Sequence, residues 1–453
     1  MELLPDDVLL EVMQYLKIED LLACRLVCRR LGALAMFPEV WRHQRFELVW
    51  FDDTPRYKQC SVLRLAPCLR AWRVRFPLEK FHTLYTTTRC AVNKLTLSLN
   101  NVSEKDALQA SLVIRNQAAL GRLRRLSLGP CMWESVNHVE GTSVLLGTVA
   151  STPRLEELKI KGFRCFAPSI LAGLHRSFPG ASLKSFEHDP RTPEEELFCD
   201  FILTMHAATL ESVNLGCFPL TSTSTATFLT GMPNLRRLQC GLMPGLEAVA
   251  GCEQLRDLDL YVEYDGEACA GAEFLRRATQ LVKVTLEYEP EIGVASSPDM
   301  DFVLALAATG RSCLEELSLD FEDSHHHLPE QQSLLKALPH LPALKHLEFG
   351  GPATDELLLG ITPSNAPALR TLNVFTIHVD CAHDALHRGA VQKLLSLNPE
   401  LKFSTYVQSY CYKGDRCAWC SLGCHQEMMQ DVPVLPPEFP EYDDTDWVVI
   451  PRL

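Results

Sequence analysis

Apolar positions along the chain follow two periods in turn. Over the first 45 residues they recur at helical spacing. Val8, Leu9, Val12, Met13 and Leu16 follow Pro5, Asp6 and Asp7; a proline loses nothing in a first helical turn, and two acids suit the helix dipole there. Glu19 and Asp20 open a second predicted helix with Leu21, Cys24, Val27, Cys28 and Leu31 along one stripe, and Pro38 starts a third carrying Val40 and Trp41. Three helices of this size enclose a marginal core, so the unit needs a partner surface or an attached domain. Next, Val62, Leu63, Leu65, Leu69, Trp72 and Val74 are mixed with Arg56, Lys58, Arg64, Arg70, Arg73 and Arg75, which reads as a helix with a solvated basic face. A dedicated contact with an anion is the alternative.

Beyond residue 91 the period shortens to two. A phrase recurs: leucine, two residues, leucine, one residue, an apolar residue. Clear copies start at Leu123, Leu155, Leu210, Leu235, Leu255, Leu281, Leu314, Leu344 and Leu369, and weaker ones at Val92, Leu183 and Leu401. Successive starts lie 20 to 33 residues apart. Alternation places the fourth and sixth positions of each phrase on a buried face and the third, fifth and seventh on an outward one. Between phrases lie helix-like stretches, among them Val144 to Ala150, Leu197 to Ala208 and Phe302 to Ala308, whereas Leu235 to Leu255 leaves room only for a turn.

Composition narrows the classes. The 453 residues are 47% hydrophobic and 22% charged, enough to bury a large core, and the net charge of -14 disfavours general nucleic-acid binding. No apolar run is long enough to span a membrane. The start, Met1 to Asp7, is acidic and lacks the basic region of a signal peptide, so the chain is expected in the cytoplasm, the nucleus or both. Its 18 cysteines, scattered through the chain, are expected to act mostly as small buried apolar groups. No phosphate-binding glycine loop, nucleophile elbow or zinc-protease signature is present. No enzymatic activity is expected.

Residues 2 to 46 resemble the F-box. Leu4-Pro5, Leu9-Leu10, Asp20-Leu21, Val27-Cys28 and Trp41 match that family in order and spacing; Leu31 departs from the aromatic residue many members carry. The resemblance implies docking on the Skp adaptor of a cullin–RING ubiquitin ligase, with Leu4, Pro5, Leu9, Val12, Leu16, Leu21, Val27, Cys28, Leu31 and Trp41 as contact or supporting residues. The recurring phrase is similar to the leucine-rich repeat, whose units stack because none can bury its apolar edge alone. The expected fold is therefore an α/β repeat: an F-box (1–46), a helical connector (47–90), a horseshoe solenoid with parallel strands inside and helices outside (91–408), and a Cys-rich cap with an acidic tail (409–453). Trp447 to Ile450 is expected to dock on the last repeat. The implied function is substrate recognition for a Skp–cullin–F-box ligase, with an unknown protein target; a non-ligase interaction scaffold is the alternative.

Two further groups are candidates for chemistry. Outward positions are basic early, at Lys94, Arg125, Lys159 and Lys161, and acidic later. Asp257, Asp259, Tyr261, Glu287, Glu316 and Asp320 are the expected contacts for a basic target segment; a solvated repeat surface on an acidic chain, clustering some charges, is the alternative. Cys417, Cys420, Cys424 and His425 have ligand types and proximity suited to zinc; a redox pair or a structural cap explains them as well, and no cofactor is otherwise expected.

Overall fold

The computed structural model describes residues 4–46, 56–78, 82–99, 103–129, 142–162, 180–262, 268–288, 301–308, 310, 313–321, 330–351, 353–375, 387–406 and 447–450. The chain divides into two units, Met1–Leu235 and Arg236–Leu453. The division falls inside the 91–408 stretch expected as one repeat domain.

The first unit opens with four helices among the described residues, α1 (Asp6–Gln14), α2 (Ile18–Cys24), α3 (Arg29–Ala35) and α4 (Pro38–Trp41), where three were expected. The expected second helix is broken in two. Leu26 and Val27 close α2 with tight bonds to the carbonyls of Ala23 and Cys24, and Cys28 turns extended, its Sγ accepting from the Leu31 N–H at 3.4 Å to cap α3. The predicted stripe from Leu21 to Leu31 therefore does not lie on one helix. Leu9, Met13, Leu21, Leu34, Val40 and Trp41 form the core of this bundle, and the Trp41 indole donates to the Ala35 carbonyl.

The connector expected to be helical is so only in part. After α5 (Arg56–Leu65) comes β2 (Cys68–Phe76), a nine-residue strand in which Trp72, Val74 and Phe76 are buried and Arg73 and Arg75 are half-exposed. Alternation of apolar and basic residues from 72 to 76 is a strand period and not the basic helical face expected there. A short β1 (Arg45–Phe46) pairs parallel with β2, Arg70 N–H donates to the Gln44 carbonyl, and the Cys68 thiol lies 3.4 Å from the Pro38 carbonyl. The helical bundle is thus joined directly to the sheet.

The parallel order continues through β3 (Ala91–Leu99), β4 (Arg125–Gly129), β5 (Glu157–Ile160), β6 (Ser185–His188) and β7 (Ser212–Asn214). In the second unit β8 (Arg237–Gly241), β9 (Asp257–Val262), β10 (Lys283–Tyr288), β11 (Glu316–Phe321), β12 (His346–Phe349), β13 (Thr371–Phe375) and β14 (Lys402–Tyr406) repeat that arrangement. Each of the twelve recurring phrases coincides with one strand from β3 to β14. The fourth and sixth positions, such as Leu126 and Leu128 or Leu258 and Leu260, are buried as the alternation requires. Helices Thr142–Ala150, Pro193–His206 and Phe302–Ala307 occupy the predicted stretches, and the short interval after β8 holds a 3-10 helix, Leu246–Gly251. Each unit is an open set of parallel strands with intervening helices, the leucine-rich-repeat arrangement.

The last strand departs from that rule. β15 (Trp447–Val449) pairs antiparallel with β14, and the Ile450 N–H donates to the Phe403 carbonyl at 2.9 Å, with the Ile450 side chain buried. The edge of β14 is covered by the segment expected to dock there, which removes a row of unpaired backbone groups.

Candidate protein-interaction surfaces

The helical bundle presents an unusual amount of apolar surface. Of the 14 exposed large apolar residues among those described, seven lie between residues 4 and 37: Leu4, Val8, Val12, Tyr15, Leu26, Val27 and Phe37. On α1, Val8, Val12 and Tyr15 follow at i, i+4 and i+7, so they share one side of the helix, while Leu9 and Met13 turn inward. Leu26 and Val27 are exposed because the break after α2 turns them out of any helix stripe; Val27 is 68% exposed. Arg30 fastens the start of α1, donating from Nε to Asp6 at 2.8 Å and also to the Leu4 carbonyl.

These positions sort the expected adaptor-binding residues. Leu4, Pro5, Val12, Val27 and Cys28 are exposed, Leu16 and Leu31 are half-buried, and Leu9, Leu21 and Trp41 belong to the core beneath. The buried three therefore hold the bundle in shape and do not themselves form its surface. Val8, Tyr15, Leu26 and Phe37 are exposed as well and were not among the expected residues. Their signal was present in α1, where Val8, Val12 and Tyr15 make a second apolar stripe beside the core stripe.

On the sheet of the first unit, the outward positions form rows across neighbouring strands. One row runs Arg45, Ala71, Lys94, Arg125, Glu157; a second runs Arg73, Thr96, Ser127, Lys159, Glu187; a third includes Arg75, Ser98 and Gly129. The expected early basic surface is partly neutralised. Glu187 lies between Lys159 and Lys161 at 2.9 and 2.7 Å, and Glu157 faces Arg125 at 3.6 Å. Burial alone would push the Glu187 carboxyl up; the hydrogen bonds from Lys161 and Lys159 outweigh it and hold the group below its ordinary value.

In the second unit β9, β10 and β11 align Asp257 with Lys283 and Glu316, Asp259 with Thr285 and Ser318, and Tyr261 with Glu287 and Asp320. The six expected target-contact residues thus share one face of three adjacent strands. They are not equally available. Asp259 is buried and takes the Arg237 guanidinium at 3.0 Å, Glu316 faces Lys283 at 3.3 Å, and the Tyr261 hydroxyl accepts from Gln239 at 2.8 Å.

Elsewhere the titratable groups are structural. Burial pushes the Cys90 and Cys240 thiols up to about 12, so they stay protonated and pack as apolar groups. Cys28, Cys269 and Cys313 are exposed instead, contrary to the general expectation of burial. Among the described residues no group of three or more His, Cys, Asp or Glu is placed to hold a metal ion, and no helix is long and apolar enough to cross a membrane. Cys417, Cys420, Cys424 and His425 lie outside the described residues.

Residues 1–47 match the F-box-like family model. No curated protein matches the chain. Solved structures that match include the Rad7–Elc1 complex of yeast, at 15% identity over 74% of this chain and 80% of that one, TM-score 0.40. The Toll–Spatzle complex of Drosophila matches at 11% identity over 75% of this chain and 43% of that one, TM-score 0.41. An internalin of Listeria monocytogenes matches at 16% identity over 65% and 77%, TM-score 0.32. The chain therefore carries an F-box-like domain at residues 1–47, and open parallel strands with intervening helices follow it.

Proposed function

We propose that the protein is a substrate-recognition subunit of a Skp–cullin–F-box ubiquitin ligase, with no catalytic role of its own. The observation that carries this reading is the exposed apolar surface of an F-box-like domain. A small helical bundle that exposes Val8, Val12, Tyr15, Leu26 and Val27 gains by covering them, and a few apolar anchors dominate such contacts. The Skp adaptor is the partner this domain implies, and cullin and RING subunits follow through it. Outward strand faces then hold a protein target, so that its lysines meet the ubiquitin-charged enzyme at high effective concentration. Such a subunit works in the cytoplasm or the nucleus and needs no cofactor.

In the second unit, Asp257, Asp259, Tyr261, Glu287, Glu316 and Asp320 are proposed to receive a basic target segment, with Asp259 acting through its ion pair and the others as direct contacts. Affinity purification of the full chain tests the whole reading. Recovery of the adaptor together with cullin and RING subunits supports it, and their joint loss on Val12→Asp with Val27→Asp places the contact. Adaptor without cullin would favour the non-ligase scaffold.

A further inference from the structure

The strands next to the F-box-like domain carry a charge arrangement that the adaptor contact does not use. On the outward face of β1 to β4 stand Arg45, Arg73, Arg75, Lys94 and Arg125, and none of the outward positions paired on these four strands is acidic. Lys94 is directly opposite Arg125, a like-charge pair that costs stability. The contrast with β5 and β6 is internal to the same sheet: there Lys159 and Lys161 are answered by Glu187. For Arg45, Arg73, Lys94 and Arg125, the one paired carboxylate among the described residues is Glu157, 3.6 Å from Arg125.

Two details mark the patch as built for an anion. The Arg73 Nε is buried and has no hydrogen-bond partner, so a donor has been taken from water without compensation. Between the bases the floor consists of the half-exposed Thr96 and Ser127, with Gly129 and the buried Ser98 beside them. Short hydroxyls and a missing side chain let an oxyanion come close, and hydroxyls add donors to the planar forks of the arginines. At ordinary strand spacing the bases span about 14 Å across the sheet and about 13 Å along it, the footprint of an extended segment of about four residues.

We propose that this face docks an anionic peptide segment, one with clustered carboxylates or phosphates. A nucleic acid fits less well. Trp72 and Phe76, the aromatic residues of β2 beside these arginines, are buried in the core and offer no stacking surface, and the chain as a whole carries a net charge of -14. The proposal deepens the capture role given above to the repeats, and assigns to these strands a target chemistry opposite to that of β9 to β11.

Fluorescence anisotropy on the full chain tests it, using one labelled decapeptide carrying four glutamates, four phosphoserines or four glutamines. Either anionic peptide should bind at least tenfold more tightly than the glutamine peptide, and raised salt should erase the difference. Arg45→Gln with Lys94→Gln, which removes two solvent-accessible charges, should weaken the anionic peptide at least tenfold, with the melting temperature unchanged. Arg73→Gln with Arg75→Gln should do the same, and Lys345→Gln, in the second unit, should have no effect. Equal binding of all three peptides, or unchanged binding by the Arg45/Lys94 variant, overturns the proposal. So does a ten-nucleotide RNA that binds tenfold more tightly than both anionic peptides and is lost in that variant. Adaptor recovery from the same samples reads the ligase role separately. A chain that loses the adaptor yet prefers anionic peptides keeps this proposal and sinks that role, and the reverse result does the opposite.

Discussion

Arg237 on β8 reaches Asp259 on β9 at 3.0 Å, and the aspartate it engages is the most deeply buried of the six acidic-face residues. Asp259 is therefore first a structural carboxylate. The hydrogen bond to Asp259 also raises the Arg237 guanidinium above its ordinary value, against the opposing effect of burial. Asp259→Lys should lower stability by about 1–2 kcal/mol, a figure discounted because Arg237 is half in solvent. Asp257→Lys with Glu316→Lys reverses two more accessible charges. That double variant should keep its melting temperature within a few degrees and weaken capture of a basic target. Capture that survives it at wild-type strength would move the target site off these strands.

The F-box-like domain separates surface from core in the same way. Val12→Asp with Val27→Asp should abolish adaptor recovery while circular dichroism and melting stay near wild type, since both side chains are exposed. Leu9→Ala or Trp41→Ala should act through folding instead, costing about 2–5 kcal/mol for a buried large side chain, and should broaden or lower the first unfolding transition. If the two exposed changes leave adaptor recovery intact, docking uses another face of the bundle.

Glu187 gives a pH-dependent prediction. Its folded-state pKa is lowered, so its stabilisation is present above the ordinary value of 4.5 and is lost as pH falls through the lower folded value. Glu187→Gln should lower the midpoint of denaturant unfolding at pH 7, and the difference from wild type should close as pH falls below 4.5 through the lower folded value. A constant difference across that range would mean that shape, not charge, makes the contribution.

Two buried histidines add to the loss of stability as pH falls. Burial lowers His206 to about 4, and its Nδ1 accepts from the Ser182 and Leu183 N–H groups at 3.1 and 3.3 Å. Burial likewise lowers His188 to about 4, against a hydrogen bond with the Ile160 carbonyl. Each is neutral in the folded protein at pH 5 and charged in the unfolded chain. Their stabilisation is full above 6.5 and is lost between 6.5 and 4, by about 3 kcal/mol for each. Burial raises Asp189 and Asp200, which opposes this trend at lower pH. The comparison that isolates His206 is His206→Asn, whose amide oxygen can accept the same N–H groups. The difference in stability between it and wild type should shrink by about 2–3 kcal/mol in favour of the variant from pH 7 to pH 4. A pH-independent difference would remove His206 from the account.

Each strand from β3 to β14 was legible because its own residues encode it. A phrase such as Leu255-Arg-Asp-Leu258-Asp-Leu260 carries the period of two that both extends the backbone and chooses its buried face. The same logic applied to Trp72-Arg-Val-Arg-Phe76, but in a stretch opened by a real helix, α5, the alternation was read with the wrong period. In the F-box-like region, Leu21, Cys24 and Leu31 fit one helical stripe numerically, and the tight turn after Cys24 is decided by i-to-i+3 bonds that leave no trace in apolar spacing.

By itself, then, the sequence determined the alternation within each repeat, the order of the repeats and the helical module ahead of them, because these depend on contacts between near neighbours along the chain. Only the tertiary structure decided which charges are answered. Arg237 and Asp259 are 22 residues apart, and Glu187 meets Lys159 and Lys161 only because β5 and β6 pair in one register. Lateral neighbours in a parallel sheet are set by that register and by the length of the intervening turn, and the Coulomb energy between two side chains depends on distance in space and not on separation along the chain.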